Sequence, residues 1–247
     1  MPTDADLYRR GAETMLASWQ EYARGARGAS LQRLDGVAAA VFPGAPERGI
    51  YNNALLESAD AIAAMEDAYA AAGVERFAAW VHDSDAALAG ELQRRGYTLD
   101  MSTRVMGMTL EELTVPRPAL GAEAIGWGEH LRMFGLPPDL LARADLSRFH
   151  VLAARLDGEH ATGAIAFDHD GDCGIYNVGT IEPARRRGLA RDLMALMLHD
   201  AAARGCSTAS VQSTAMAEGV YGAVGFRDLG RFLEYVPPSP GVDGRHV

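Results

Sequence analysis

The chain has 247 residues, 48% of them hydrophobic and 23% charged, a globular composition long enough for two ordinary domains. Its formal net charge is -10 and it contains no lysine, so all 23 cationic side chains are arginine, and the acidic balance argues against nucleic acid as the main partner. No basic-then-apolar segment opens the chain and no uncharged apolar run reaches membrane-spanning length, so the expectation is a soluble, cytoplasmic protein with no membrane contact.

From the N-terminus, Leu7, Met15, Trp19 and Tyr22 fall near one face over 4–24, behind Thr3 or Asp4 as a cap, and predict an amphipathic helix packed on a core. Apolar runs at 31–34 and 37–42 flank Asp35-Gly36, a dipeptide that tolerates positive φ and so predicts a tight hairpin. Pro43-Gly44-Ala45-Pro46 breaks that pattern. An apolar run at 50–56 follows, then an alanine-rich helix at 59–72 ended by Gly73, a strand at 77–81, a helix at 85–95 stopped by Gly96, and a strand at 101–110. Thr114-Val115-Pro116-Arg117-Pro118 reads as an extended linker, because its prolines lack donors and resist helix. It sets the expected boundary between domains at 1–113 and 119–247. Beyond it, 127–134 and 139–144 read as short helices split by Pro137-Pro138. Strands at 150–156, 161–167 and 174–180, divided by Asp157-Gly158 and Asp170-Gly171, make an antiparallel meander.

The two halves repeat each other. Leu34-Asp35-Gly36 answers Leu156-Asp157-Gly158, Gly49-Ile50-Tyr51-Asn52 answers Gly174-Ile175-Tyr176-Asn177, Gly73 answers Gly205, and Arg95-Gly96-Tyr97 answers Val224-Gly225-Phe226. The offsets of 122, 125, 132 and 129 residues keep order and spacing, which means two copies of one fold. The copies differ between their central strand and following helix. Asn52 to Gly73 spans 21 residues and Asn177 to Gly205 spans 28, so the first copy lacks seven residues there.

Those extra residues belong to the stretch from Thr180-Ile181-Glu182-Pro183 through Arg185-Arg186-Arg187-Gly188 to Leu189, Ala190 and Arg191. A strand runs into a proline that cannot continue a sheet, then three arginines, then a glycine that opens a helix with Leu189, Leu193, Leu196 and Met197 on one face. The first N–H groups of a helix lack intrahelical acceptors and carry the positive end of its dipole, so this is an anion-binding turn. In the first copy Leu55-Leu56-Glu57-Ser58 stands there instead, with no glycine and with an acid that repels anions. That copy is expected not to bind such a ligand.

Arg185-x-x-Gly188-x-Ala190 resembles the phosphate-binding signature of the GCN5-related N-acetyltransferase (GNAT) superfamily, and Thr214-x-x-Ala217-x-x-Val220-Tyr221-x-x-x-Gly225-Phe226 resembles the segment that closes the acetyl-CoA site in that family. The resemblance covers about 119–236, and the whole chain more loosely as a tandem with a degenerate first copy. It implies an α/β (α+β) fold of two GNAT-like domains, each a mixed, mostly antiparallel sheet flanked by helices. It also implies a splay between the fourth and fifth strands for the pantetheine arm of acetyl-CoA. Carried over by position, the backbone of Gly179, Thr180 and Ile181 pairs with pantetheine. The amides of Arg186, Arg187, Gly188, Leu189, Ala190 and Arg191 cradle the pyrophosphate, and Thr214 stands where the family has asparagine. Tyr221 matches the family tyrosine near the CoA sulfur, where attack of an amine expels a thiolate that needs a proton. The alternative for Tyr221 is a packing role beside Phe226.

The family's glutamate base, twelve residues before the tyrosine, is Ala209 here. Glu182, His150, Asp168, His169 and Tyr176 are the possible substitutes. His130, His160 and His199 have no partner at metal-ligand spacing and Cys173 and Cys206 fit no metal motif, so no metal is expected and both thiols read as buried and reduced. The implied activity is acetyl transfer from acetyl-CoA to a small-molecule or peptide amine in a ternary complex, with a catalytically silent CoA-binding or protein-interaction module as the alternative. The acidic balance favours a cationic amine, and a homo-oligomer is compatible with the sequence.

Overall fold

The structure is a computed structural model in which residues 1–45, 51–136 and 146–238 are described. The helix expected at 139–144, and Gly49-Ile50 of the repeat, lie outside them.

Local chemistry starts most elements where the sequence predicts. Helix α1 (Asp4–Gly25) opens in a reciprocal capping box, with Asp6 N–H donating to Thr3 Oγ1 and Thr3 N–H to Asp6 Oδ2, each at 3.1 Å. The Asp35-Gly36 turn, with Gly36 at φ 75°, joins β1 (Ser30–Leu34) to β2 (Val37–Val41) antiparallel. Then come β3 (Asn53–Leu56), α2 (Ile62–Ala71), β4 (Ala78–His82), α3 (Ala86–Arg94) and β5 (Thr98–Thr109). β3 starts later than the apolar run because the Asn52 side chain leaves the ladder. Its Oδ1 accepts from Phe42 N–H at 2.8 Å and its amide donates to the Ala45 carbonyl at 2.6 Å.

After the proline segment stand β6 (Ala122–Ala124), α4 (Trp127–Met133), β7 (Phe149–Leu156), β8 (Glu159–His169) and β9 (Asp172–Thr180). The chain continues through α5 (Leu189–Ala203), β10 (Thr208–Ser213), α6 (Glu218–Gly222) and β11 (Arg227–Val236). The repeat holds element by element, since β7-β8-β9-α5-β10-α6-β11 answers β1-β2-β3-α2-β4-α3-β5.

The chain forms two compact units, and neither is continuous in sequence. Unit 1 comprises Met1–Gly25 with Arg104–Leu229, and unit 2 comprises Ala26–Thr103 with the chain from Gly230. The boundary expected at 114–118 is therefore corrected. The chain passes between units inside β5 and again inside β11, because the last strand of each repeat completes the sheet of the other. In unit 1, β10 pairs antiparallel with β5 from Thr208↔Thr109 to Ser213↔Arg104. In unit 2, β4 pairs antiparallel with β11 from Ala79↔Tyr235 to His82↔Phe232. α1 is also core packing of unit 1, not of the copy it precedes in sequence.

Among the described residues the sheet of unit 1 runs β6-β7-β8-β9-β10-β5, with β9 and β10 its parallel pair. Met106, Met108, Ala164, Ala166, Cys173, Ile175, Ala209 and Val211 point to one face and bury Leu193, Met194, Met197 and Leu198 of α5. Neighbouring residues of opposite parity meet α1 on the other face. A Cβ on Gly11 of α1 would stand 2.7 Å from Ser210 Cβ, so the helix lies close against the strand. Unit 2 runs β1-β2-β3-β4-β11, with its core built on Ile62, Met65, Tyr69, Leu88 and Leu92 of its two helices.

Candidate functional site

Strands β9 and β10 pair only over Asp172–Ile175 and Thr208–Val211. Past Ile175, β9 continues to Thr180 along β8 alone, so its other edge is open. A bulge accompanies the separation. Ile165 faces Tyr176 but Gly163 faces Gly179, leaving two β9 residues opposite Ala164, and Asn177 takes a left-handed φ of 49°. Such a bulge increases twist and bends the strand away from its neighbour.

Ile181 N–H donates to the Ala161 carbonyl at 2.9 Å, which fixes the alternation of the antiparallel ladder. Gly179 and Ile181 thus turn their backbone groups toward β8, and Thr162 Oγ1 donates to the Gly179 carbonyl at 2.8 Å. Thr180, between them, turns its N–H and carbonyl to the open edge. Arg185 Nε donates to that carbonyl at 3.1 Å. Of the three residues expected along a pantetheine arm, Thr180 alone presents backbone groups to the gap.

The strand leads into a single helical turn, Glu182–Ala184, and then into the arginines. Arg186 at φ 62° and Gly188 at φ 81° are both left-handed, with Arg187 between them outside that region. This alternation is how anion-binding nests of backbone N–H groups are built. An arginine held there is an uncommon backbone state for a non-glycine residue. A Cβ on Gly188 would meet nothing within 4 Å, so glycine is required by the dihedral and not by crowding. The first backbone bond of α5 at this end is Asp192 N–H to the Gly188 carbonyl, at 3.0 Å. Among the described residues, the amides of Arg186, Arg187, Gly188, Leu189, Ala190 and Arg191 donate to nothing outside the helix, and no side chain caps its start. Arg186 and Arg187 are exposed and make no ion pair among the described residues, whereas Arg191 Nη2 is held by Asp192 at 3.0 Å. Six amides and two uncommitted guanidinium groups fit a diphosphate.

Tyr221 lies on α6, is 4% exposed, and stands edge-on to Phe226 at 6.0 Å between centroids. It packs beside Phe226 in the core of unit 1. Its hydroxyl, unlike that of Tyr176, is not among the sealed, unpartnered polar atoms. Burial pushes the Tyr221 phenol up to about 12. Thr214 is exposed just past β10, and its carbonyl accepts from Ala217 N–H at 3.0 Å to start α6. Arg104 braces the same helix, its Nη2 3.0 Å from Glu218 Oε2 and its Nη1 paired with Asp228.

Three of the substitute bases stand at the wrong end of the sheet. Asp168, paired with Arg204 at 2.8 Å, lies with His150 and His169 beside the β8–β9 turn. Eight residues of strand separate Asp172 from Thr180, about 26 Å. The Tyr176 hydroxyl is sealed against α1, where a Cβ on Gly174 would lie 2.2 Å from it. Glu182, exposed in the turn itself, is the one left near the open edge.

Sequence reasoning missed two side chains that border the gap. α4 lies on β8 and β7, and the Gly163 and Gly179 pair makes the notch that receives it. A Cβ on Gly179 would stand 2.3 Å from the Phe134 ring, and one on Gly163 would stand 3.1 Å from His130 Nδ1. His130 is fully buried and edge-on to Phe134 at 5.1 Å, and burial pushes its imidazole down to about 4. Paired glycines on adjacent strands were the available signal, but the pairing is visible only once the register is known.

Among the described residues no helix is long and apolar enough to cross a membrane, and no group of three or more His, Cys, Asp or Glu side chains is placed to hold a metal. Cys173 and Cys206 are buried and free.

Comparison with known proteins bears on the fold that holds this site. The family model described as an acetyltransferase (GNAT) domain matches residues 136–234. No curated protein matches the chain. Among solved structures, a GCN5-related N-acetyltransferase from Kribbella flavida aligns over 95% of this chain and 96% of its own, with 18% identity and a TM-score of 0.70. One from Sphaerobacter thermophilus covers 98% and 96%, with 17% identity and a TM-score of 0.60. A functionally unknown conserved protein from Staphylococcus epidermidis covers 86% and 95%, with 10% identity and a TM-score of 0.64. At these identities the structures speak for the fold, which they share over nearly the full chain. The open β9 edge that leads into an uncapped helix start lies within residues 136–234, the segment that matches the acetyltransferase (GNAT) domain family.

Proposed function

We propose that the protein is an acetyl-CoA-dependent N-acetyltransferase that acylates a small-molecule or peptide amine at unit 1. The observation that carries this reading is the open edge of β9 running into six unbonded amides beside Arg186 and Arg187. An extended arm can add along such an edge as a strand would, and the amide nest takes the diphosphate that ends it. Bound acetyl-CoA would supply the activated thioester. The N–H of Thr180 faces the position along which the arm would lie. Arg185, by holding the Thr180 carbonyl, keeps that edge aligned with the turn.

Tyr221 sits in the hydrophobic core of unit 1. With its phenol at about 12, full proton transfer to a thiolate of about 8.5 is uphill by roughly 5 kcal/mol. Its role is then to donate a hydrogen bond that stabilises the departing sulfur, with the proton completing its transfer from the attacking amine or water. Among the described residues, the candidate carboxylates are the exposed Glu182 and the distant Asp168, which suits an amine that arrives with a neutral fraction. Unit 2 takes no CoA and serves to complete the fold.

Isothermal titration with acetyl-CoA tests this, with Arg187→Glu/Gly188→Glu alongside. One equivalent bound by the parent and none by the double variant is expected, followed by thiol release with a panel of amines. A folded parent that binds nothing would sink the proposal. Binding without turnover on any amine would favour the silent module, a reading that Ala209 and the distant carboxylates support.

A further inference from the structure

Far from the open edge, a cavity of about 280 Å³ opens in unit 1 between α1 and the β8–β9 turn. Arg10, Glu13 and Thr14 line it from the helix, and His169, Asp170 and Asp172 from the end of the sheet. We propose that it binds a free amino acid, with the ammonium on Asp172 and the carboxylate on Arg10. This is independent of acetyl transfer.

The floor is built for a donor. Asp172 is 2% exposed, and Thr208 Oγ1 and Ser210 Oγ donate to its two oxygens at 2.7 Å each. A carboxylate offers about four lone-pair sites, so acceptor capacity remains. Thr14, fully buried, stands beside it on the same floor. Thr14 and the sealed Tyr176 hydroxyl crowd the same spot over Gly174, whose Cβ would stand 2.9 Å from Thr14 Cγ2 and 2.2 Å from the Tyr176 oxygen.

The mouth is built for an anion. Arg9 is paired with Asp6 at 2.6 Å, and His169 Nε2 lies 3.5 Å from Asp170. Arg10 reaches Ser207 Oγ at 3.4 Å and no carboxylate closer among the described residues. A bare cation on Asp172 would face the Arg10 guanidinium, and a bare anion on Arg10 would face Asp172. A molecule that carries both charges a few ångströms apart satisfies both. The volume is the share of roughly nine waters, room for a compact amino acid.

Saturation-transfer NMR on the whole chain with a mixture of the twenty amino acids is the first test. The strongest hit is then titrated against the parent and Arg10→Gln, with thermal melts to confirm that the variant is folded. At least one amino acid should receive saturation, and its affinity should fall at least tenfold in Arg10→Gln. The corresponding amine without its carboxylate, and the acid without its amine, should each bind at least tenfold more weakly. The proposal is overturned by transfer to none of the twenty, by an amine that binds as well as the amino acid, or by binding that Arg10→Gln leaves unchanged, which would place the ligand elsewhere.

Discussion

The two copies of this fold differ at one asparagine. After Asn52, residues Asn53, Ala54 and Leu55 of β3 pair in parallel with Ala78, Ala79 and Trp80 of β4, and the Asn52 side chain is consumed by the backbone of Phe42 and Ala45. After Asn177, the residues of β9 make no ladder with β10, and Asn177 itself sits exposed in a left-handed bulge. The helix starts differ in the same sense. In unit 2, Ser58 Oγ accepts from Asp60 N–H at 3.2 Å and caps its own helical run. In unit 1, Gly188 offers no side chain, so the donors of α5 stay open. A closed sheet with a self-capped helix offers neither a free strand edge nor open helix amides; an open edge with an uncapped helix offers both.

The largest expected effect concerns how unit 1 is assembled. The segment 119–247 expressed alone lacks α1 and β5, which cover one sheet face and pair with all of β10. It should show no cooperative thermal transition, and addition of a 1–118 fragment should restore one. An autonomous, sharply melting 119–247 would restore the boundary that the sequence suggests. Next in size is His130. Its folded value of about 4 lies below the free value near 6.5, so its contribution is present above pH 6.5 and lost as pH falls toward 4. The loss should reach about 3 kcal/mol by pH 4, and His130→Gln should flatten that part of the denaturation profile. Unit 2, which buries no histidine among the described residues, should keep its stability over the same range.

Tyr221→Phe should lower turnover about 10–100-fold, or about 1.4–2.7 kcal/mol, with acetyl-CoA affinity and Tm nearly unchanged, because only the hydroxyl is removed. Equal turnover at every pH would leave Tyr221 as packing alone. The smallest pair of effects compares the helix starts directly. Gly188→Asp supplies an internal cap and should weaken acetyl-CoA at least tenfold in calorimetry. Ser58→Ala should cost about 1 kcal/mol of stability in unit 2 and leave that affinity unchanged.

Much of this was legible because it is local. The hairpin at Asp35-Gly36, the helix ends at Gly73 and Gly205, and the arginine turn each follow from what a glycine or proline permits within a few residues. The candidate site was legible in part: Arg186 and Gly188 take the alternating left-handed φ values of a nest, while the backbone groups of Gly179 and Ile181 face β8. Which residues of a strand face an open edge depends on register, and a one-residue bulge at Asn177 resets it. His130 and Phe134 border the gap only because α4 settles in a notch formed by two glycines sixteen residues apart in sequence.

The sequence by itself determined that the chain is a tandem repeat, that one copy has a glycine turn with three arginines where the other has none, and that the element types follow in matching order. Those properties reside in short-range periodicity, in turn residues and in spacing. Tertiary structure decided which sheet each last strand completes, since β5 presents the same alternation to either partner and the sequence carries no mark of the choice. It also decided where β9 parts from β10 and which buried polar groups are left without partners. Pairing and burial are settled by long-range contacts, and no window of neighbouring residues contains them.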